Sequence, residues 1–282
     1  MSTLWFQLRA ELWKLFARKR SYMGFVAFAL LQVALWLVIK LMKGEEGLKR
    51  QIALQGEAVE TYISAPTFAL LIMNLSLLFL GGLYLALVSG DIVAKESEDG
   101  QMRLLLARPI SRLRLLGLKF FSCSLYAFVL VEFAAVAAFA LGVAVRGWGG
   151  GLFAWMPELG VLNFFNGDEA IRRYILCAVT MGVLMTAVSS IGFFLSCFKI
   201  KPAAATIGAL SYLMIDSIVR VSPFMKGYKH YLITKHISVW SRLFMDDIPW
   251  AVIMRGVTVV VAVDLSLFVL GVAVFSSRDL KS

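Results

Sequence analysis

The chain has 282 residues, of which 60% are hydrophobic and 16% charged, and its mean hydropathy is +0.81. Soluble domains carry roughly 45–50% apolar residues, so this composition excludes an ordinary water-soluble enzyme or binding module and points to a polytopic membrane protein. The net charge of +10 raises nucleic acid as a partner, but the basic residues flank apolar runs instead of lining one aromatic-interleaved groove. No nucleic acid is expected; the lipid bilayer and its anionic headgroups are.

Residues 1–20 open the chain with two-faced spacing. Leu4, Trp5, Leu8, Leu12, Leu15 and Phe16 fall on one side, and Gln7, Glu11, Lys14 and Arg18 on the other, which predicts an amphipathic interfacial helix lying on the membrane surface. Arg18, Lys19 and Arg20 then abut the first apolar run, and the positive-inside tendency puts them in the cytoplasm. A span needs about 20 mainly apolar residues. Six runs qualify: Ser21–Lys40, Pro66–Gly90, Phe120–Val145, Tyr174–Phe198, Pro202–Val219 and Gly256–Ser277. The expected fold is an all-α integral membrane protein, residues 1–282 forming one membrane domain of six transmembrane helices. The first run lacks a small-residue cleavage site, so it is expected to be retained.

With the N-terminus inside and six spans, both termini and the loop at 90–119 are cytoplasmic. Residues 43–65, 146–170 and 221–250 face out. The Gly- and aromatic-rich segment 146–170 reads as a loop dipping into the outer interface, and 221–250 as short helices at the outer rim. Pro202 suits the first turn of the fifth span, where its missing N–H costs nothing, and Ala204 and Gly208 give it a small-xxx-small surface.

The densest charged island is 90–119. Glu96, Glu98 and Asp99 precede Arg103 and Arg108, the order that a helix macrodipole favours, and Pro109 closes the segment. Met102, Leu105 and Leu106 fall on one face, so a short amphipathic helix is expected over 96–108 with a stripe that needs a partner. Ser111 is placed to cap the next helix.

Glu96-x-Glu98-x-Gly100, a Leu-rich turn, then Arg108-Pro109-Ile110-Ser111-Arg112 and Lys119 resembles the first cytoplasmic loop of ABC-2 type exporter permeases. Phe275-Ser276-Ser277-Arg278-Asp279 is similar to the Phe-x-x-Arg-Asp ending of the last span in many of these permeases. The resemblance implies a permease whose loop is a coupling helix riding on a separate ATPase subunit. Glu96, Glu98, Gly100, Met102, Arg103, Leu105, Leu106, Arg108 and Pro109 are then the coupling residues. It further implies two ATPase subunits that bind the ATP, a second permease subunit, most simply an identical copy, and the inner membrane of a prokaryote. The chain departs from the family pattern after the glycine, where Gln101-Met102-Arg103 replaces a Thr-Leu-Glu-like triplet and reverses the charge at its third position.

Chemistry within the chain itself is sparse. There is no G-x-x-x-x-G-K-[ST], no H-E-x-x-H and no G-x-S-x-G, so neither a nucleotide site nor a catalytic constellation is expected, and no cofactor of its own. Cys123, Cys177 and Cys197 lie inside apolar runs without metal-ligand spacing. His230 and His236 are six residues apart and do not share a helix face, so with Met225 and Met245 they read as interfacial packing. Glu132, Asp216 and Asp264 interrupt apolar spans. A charge at a helix centre costs about 2.5–3.5 kcal/mol, so each should face protein or water, as part of a pathway or as packing. Two other readings follow. An ATPase-linked mechanotransmitter or maturation factor would drive an extracytoplasmic partner docked on 146–170 and 221–250 without moving a solute. An ion-coupled carrier using the three acids would leave the 90–119 loop unexplained.

Overall fold

A computed structural model of the protein describes residues 2–102, 110–156 and 159–278. Helix α1 (Ser2–Ala17) leads into α2 (Lys19–Leu41), the first span; α3 (Gly44–Leu54) and α4 (Val59–Tyr62) follow. The second span is α5 (Ala65–Ser76), a π-helical stretch Leu77–Gly81, and α6 (Gly82–Glu98). Helix α7 (Arg112–Arg146) is the third span, strands β1 (Leu152–Met156) and β2 (Val161–Phe165) come next, and α8 (Gly167–Ser196) and α9 (Pro202–Val221) are the fourth and fifth. A 3-10 helix (Pro223–Tyr231), α10 (Ile233–Ile237) and a second 3-10 helix (Ser238–Phe244) precede α11 (Trp250–Ser276), the sixth. All six are long and apolar enough to cross a membrane, and each expected apolar run falls on one of them.

The caps match the local sequence. Ser111 Oγ accepts the Arg114 backbone N–H at 3.3 Å at the start of α7, as the sequence predicts, and Pro202 opens α9. In α9 the small residues that pack inward are Ala205 and Ala209, both fully buried; Ala204 faces outward. The π-helical stretch inserts an extra residue into a turn and rotates the faces before and after it. Leu78 and Phe79 are thereby exposed while Ser76 and Leu77 on either side of the junction stay buried.

Spans 3 and 4 form the centre. Span 4 packs against spans 2, 3, 5 and 6, and span 3 against spans 1, 2, 4 and 6. In span 4, 61% of the apolar window is buried, against 17% in the first and sixth spans, which therefore lie at the rim. Polar side chains stitch the interior: Gln32 on span 1 donates to the Ala134 carbonyl on span 3 at 2.8 Å and reaches Ser76 Oγ at 3.3 Å, and the Tyr174 hydroxyl donates to the Ala135 carbonyl at 2.7 Å. With little water to compete, each such group needs a protein partner.

Residues 146–170 are not a dipping loop. They hold an antiparallel hairpin with Leu152 opposite Phe165 and Met156 opposite Val161. The hairpin seats on the start of span 2, where the Phe153 N–H donates to Thr67 Oγ1 at 2.8 Å and Gly151 N–H to the Thr61 carbonyl at 2.8 Å. Short helices fill 223–244, as expected. Hairpin and short helices together make one end of the bundle; α1, the turn at 99–102 and the C-terminal end of span 6 make the other.

Candidate functional site

At the loop end the chemistry centres on Glu96. Its side chain is 1% exposed and lies in the last turn of α6. Lys14 and Arg18 reach its Oε1 at 2.6 and 2.8 Å, and Lys119, itself fully buried, reaches Oε2 at 2.6 Å. Lys119 also pairs with Glu11 at 3.0 Å. Five side chains from α1, span 2 and span 3 thus share two carboxylates and three cations. A charge removed from water is tolerable only when paired and hydrogen-bonded; this cluster supplies the pairing from three elements at once. Next to it, Arg20 pairs with Asp91.

This corrects two expectations. Glu96 does not start a new helix over 96–108: α6 carries through Glu98, and Asp99 follows it as the C-cap. Gly100 then turns the chain with φ +72°, a left-handed conformation that glycine adopts without a Cβ penalty. Helical structure resumes at Gln101 and Met102. The second correction concerns α1. Its polar face, Glu11, Lys14 and Arg18, is turned into the protein instead of towards water, because Glu96 and Lys119 need those charges. Leu15 is buried and Phe16 stacks on Phe25 and Tyr126, whereas Trp5, Phe6 and Trp13 are exposed.

The expected coupling residues therefore separate. Glu96 is buried in the ion cluster and Met102 in the core, at 1% exposure. Glu98, Asp99 and Gln101 are exposed at the turn. Arg103, Leu105, Leu106, Arg108 and Pro109 lie outside the described residues.

A second knot sits beside the first. Arg278 donates to the Cys197 carbonyl at the end of span 4 at 2.9 Å and to Ser97 Oγ on span 2 at 3.1 Å, while Arg112 at the start of span 3 donates to the Ser276 carbonyl at 2.9 Å. The ends of spans 2, 3, 4 and 6 are tied at one level, and the arginine of the Phe-x-x-Arg ending is the tie. A family model described as an ABC-2 family transporter protein matches residues 13–280. The chain belongs to the ABC-2 transporter family. A comparison with curated proteins finds no match. As a member of that family it is the membrane permease component of an ABC transporter, a multi-pass membrane subunit, and the family implies an ATPase partner.

The three acids within the permease's spans do not converge. Asp216 accepts the Thr234 and Ile233 backbone N–H groups at 2.8 and 3.3 Å, and the Thr234 hydroxyl as well. It caps α10, a packing role. Asp264 Oδ2 lies 2.7 Å from Thr186 Oγ1, which is also 2.6 Å from the Val183 carbonyl. Thr186 thus joins Asp264 on span 6 to the backbone of span 4. Glu132 Oε1 is buried without a hydrogen-bond partner among the described residues. It lies against span 4 at Gly182, where a Cβ would come within 2.8 Å of it.

Sequence reasoning missed Arg173 altogether. At 6% exposure it donates to the Leu243 carbonyl at 2.6 Å, the Met245 carbonyl and the Asp246 carbonyl at 3.0 Å, and pairs with Glu169 at 2.6 Å. Its guanidinium also stacks over Phe165 at 4.0 Å. The signal available was an arginine four residues after Glu169 near the start of a span. Lys14 on the polar face of the N-terminal helix, Arg18 among the topology-setting basics and Lys119 at the end of the loop motif all serve as partners of Glu96.

Proposed function

We propose that this permease converts ATP hydrolysis by a separate ATPase into export, working as a homodimer that carries two ATPase subunits on a cytoplasmic face formed by the loop end. Both termini then lie in the cytoplasm of a prokaryotic cell. The observation that carries the reading is the contrast within one turn of chain: Glu98, Asp99 and Gln101 are exposed, while Glu96 immediately before them is locked to α1 and span 3. An ATPase bearing on the exposed turn and the segment after it would push directly on the ends of spans 2 and 3. The Glu96 cluster and the Arg278 tie would spread that push to α1 and to spans 4 and 6. No ATP site is needed in the chain for this.

The test changes Glu98 and Asp99 to Lys together. Both side chains are exposed, so the permease should insert as before, and the ATPase should co-purify roughly tenfold less, as expected when interface charges are reversed. Full retention of co-purification and of permease-stimulated hydrolysis sinks the docking assignment.

One feature favours a second reading, in which the complex drives an extracytoplasmic partner and moves no solute. The far end is a built cap of hairpin and short helices held by Arg173, a firm surface for a partner. Vesicles that hydrolyse ATP at full rate without accumulating any solute would decide for it.

A further inference from the structure

Two cavities open side by side, the first between α1 and the ends of spans 1 and 2, the second between the ends of spans 1, 2 and 5. The first, about 450 Å³, takes Lys14, Arg18, Lys19 and Arg20 from the junction of α1 with span 1 and Lys95 from span 2; Asp91 and Asp99 are its acids. Five basic groups face two acidic ones. The second, about 420 Å³, shares Arg20, Asp91 and Lys95, adds Lys201 and Glu98, and runs onto an apolar wall that includes Leu87 and Ile207. Lys14 and Arg18 are held by Glu96, and Arg20 by Asp91. Lys19, Lys95 and Lys201 have no anionic partner among the described residues.

Those three lysines sit at one depth. Lys19 is the first residue of span 1, Lys95 lies in the last turn of span 2, and Lys201 directly precedes Pro202 at the start of span 5. Each marks the end of an apolar stretch, which is headgroup level. Helix α1 reports the same level independently: its Trp5, Phe6 and Trp13 are 69%, 74% and 78% exposed, as suits the face of a surface helix sunk into the headgroup–acyl boundary. Within span 5, Ile207 lines the second cavity and is 63% exposed. A soluble anion would answer the lysines and leave that apolar wall bare, whereas a lipid uses both.

We propose that the joined cavities bind the phosphate headgroup of an anionic membrane lipid, with Lys19, Lys95 and Lys201 as its charge partners and its acyl chains against Leu87 and Ile207. The headgroup also borders Lys14 and Arg18, so the seating of α1 on the Glu96 cluster depends on the lipid present. The proposal is independent of the ATPase reading, since it concerns the permease alone.

The experiment is native mass spectrometry of the full chain in detergent, offered phosphatidylglycerol or phosphatidylcholine with matched acyl chains. Retention of phosphatidylglycerol should exceed that of phosphatidylcholine by on the order of tenfold, as expected for several lysines near an anionic headgroup. The Lys19→Gln, Lys95→Gln, Lys201→Gln triple variant should bring the two lipids to parity with an unchanged unfolding temperature; if that variant does not fold, Lys201→Gln alone should narrow the ratio. Equal retention of both lipids by the native chain, or undiminished preference in the variants, overturns the site. Displacement of the lipid by millimolar glycerol phosphate, which has the headgroup chemistry without the chains, overturns the lipid assignment in favour of a soluble anion.

Discussion

At the loop end the buried charge is Glu96, and its partners are the side-chain cations of α1 and span 3. At the hairpin end it is Arg173, and three of its four partners are backbone carbonyls of residues 243–246. The two solutions differ in what they permit. Side-chain ion pairs at the end of flexible stems can lengthen or exchange one at a time, so the Glu96 cluster can tolerate a shift of the elements it joins. A planar guanidinium held at once by the Leu243, Met245 and Asp246 carbonyls tolerates little change in their backbone path, so Arg173 fixes the cap. Under the proposed coupling this asymmetry has a use: one end would receive motion while the other holds its shape.

The largest expected effect comes from breaking the rigid end. Arg173→Met leaves the Leu243, Met245 and Asp246 carbonyls without that donor, while Glu169 keeps Arg172, and removing one partner of a buried charged set costs about 3–5 kcal/mol. Thermal unfolding of the purified protein should fall accordingly, with 238–249 becoming the first site of proteolysis. Arg173→Lys keeps the charge but not the fork and should recover less than half of the loss. An unaltered unfolding temperature in Arg173→Met would remove the basis for calling this end fixed.

Glu96→Gln tests the other side of the contrast and should cost less, about 2 kcal/mol, because Glu11 still pairs with the buried Lys119. The diagnostic is coupling. Combined with Lys119→Met, the loss should be smaller than the sum of the single losses by about 1–3 kcal/mol. Permease-stimulated ATP hydrolysis should drop in Glu96→Gln, since the amide keeps an acceptor for Lys14 and Arg18 but loses the charge that ties α1 to span 2. Additive losses would mean that the five charges do not act as one cluster.

What the sequence revealed follows from the range of each force. Hydropathy is local, so six windows of apolar residues gave six spans, and Ser111 and Pro202 gave helix starts correctly. The hairpin was also written locally: Leu152–Met156 and Val161–Phe165 are two five-residue apolar runs separated by four residues that include Gly160, a hairpin signature. The aromatic content of the segment drew attention to the membrane interface instead. The charge clusters were not legible, because Glu96 meets Lys14, Arg18 and Lys119 across 23 to 82 residues of chain and Arg173 meets carbonyls some seventy residues away. Charge order along 96–108 suggested a macrodipole pattern, and that local rule lost to the long-range pairing of a buried carboxylate. The glycine at 100 was the correct breaker, quoted as part of a motif and not used as a stop.

A smaller effect is expected where an acid serves one short helix. Asp216→Ala removes the acceptor for the Thr234 and Ile233 N–H groups at the start of α10 and should cost about 1 kcal/mol, the usual loss for a helix cap. Asp216→Asn keeps one acceptor oxygen and should recover part of it. A collapse in turnover with intact stability in Asp216→Asn would place this residue in the mechanism.

The smallest effect is assigned to Glu132, and it sharpens the contrast most, since both ends bury charges that are paired while Glu132 is an acid in a span with no ion-pair partner among the described residues. Its Oε1 makes no hydrogen bond among the described residues and lies against the Gly182 backbone. If the carboxyl merely fills space between spans 3 and 4, an amide of the same size replaces it, and the change in stability should stay within about 0.6 kcal/mol, the average for an interhelical hydrogen bond in a membrane. ATP hydrolysis by the reconstituted complex should stay near the native rate. A hydrated pathway predicts something different: Glu132→Gln would fold normally and turn over slowly, because the ionisable group and not the shape was required. The same pair of measurements on Glu96→Gln should move both readings together. A Glu132→Gln complex with native stability and strongly reduced turnover would therefore show that a polar route runs between spans 3 and 4, and that the working part of this permease extends from the loop end into the middle of the bundle.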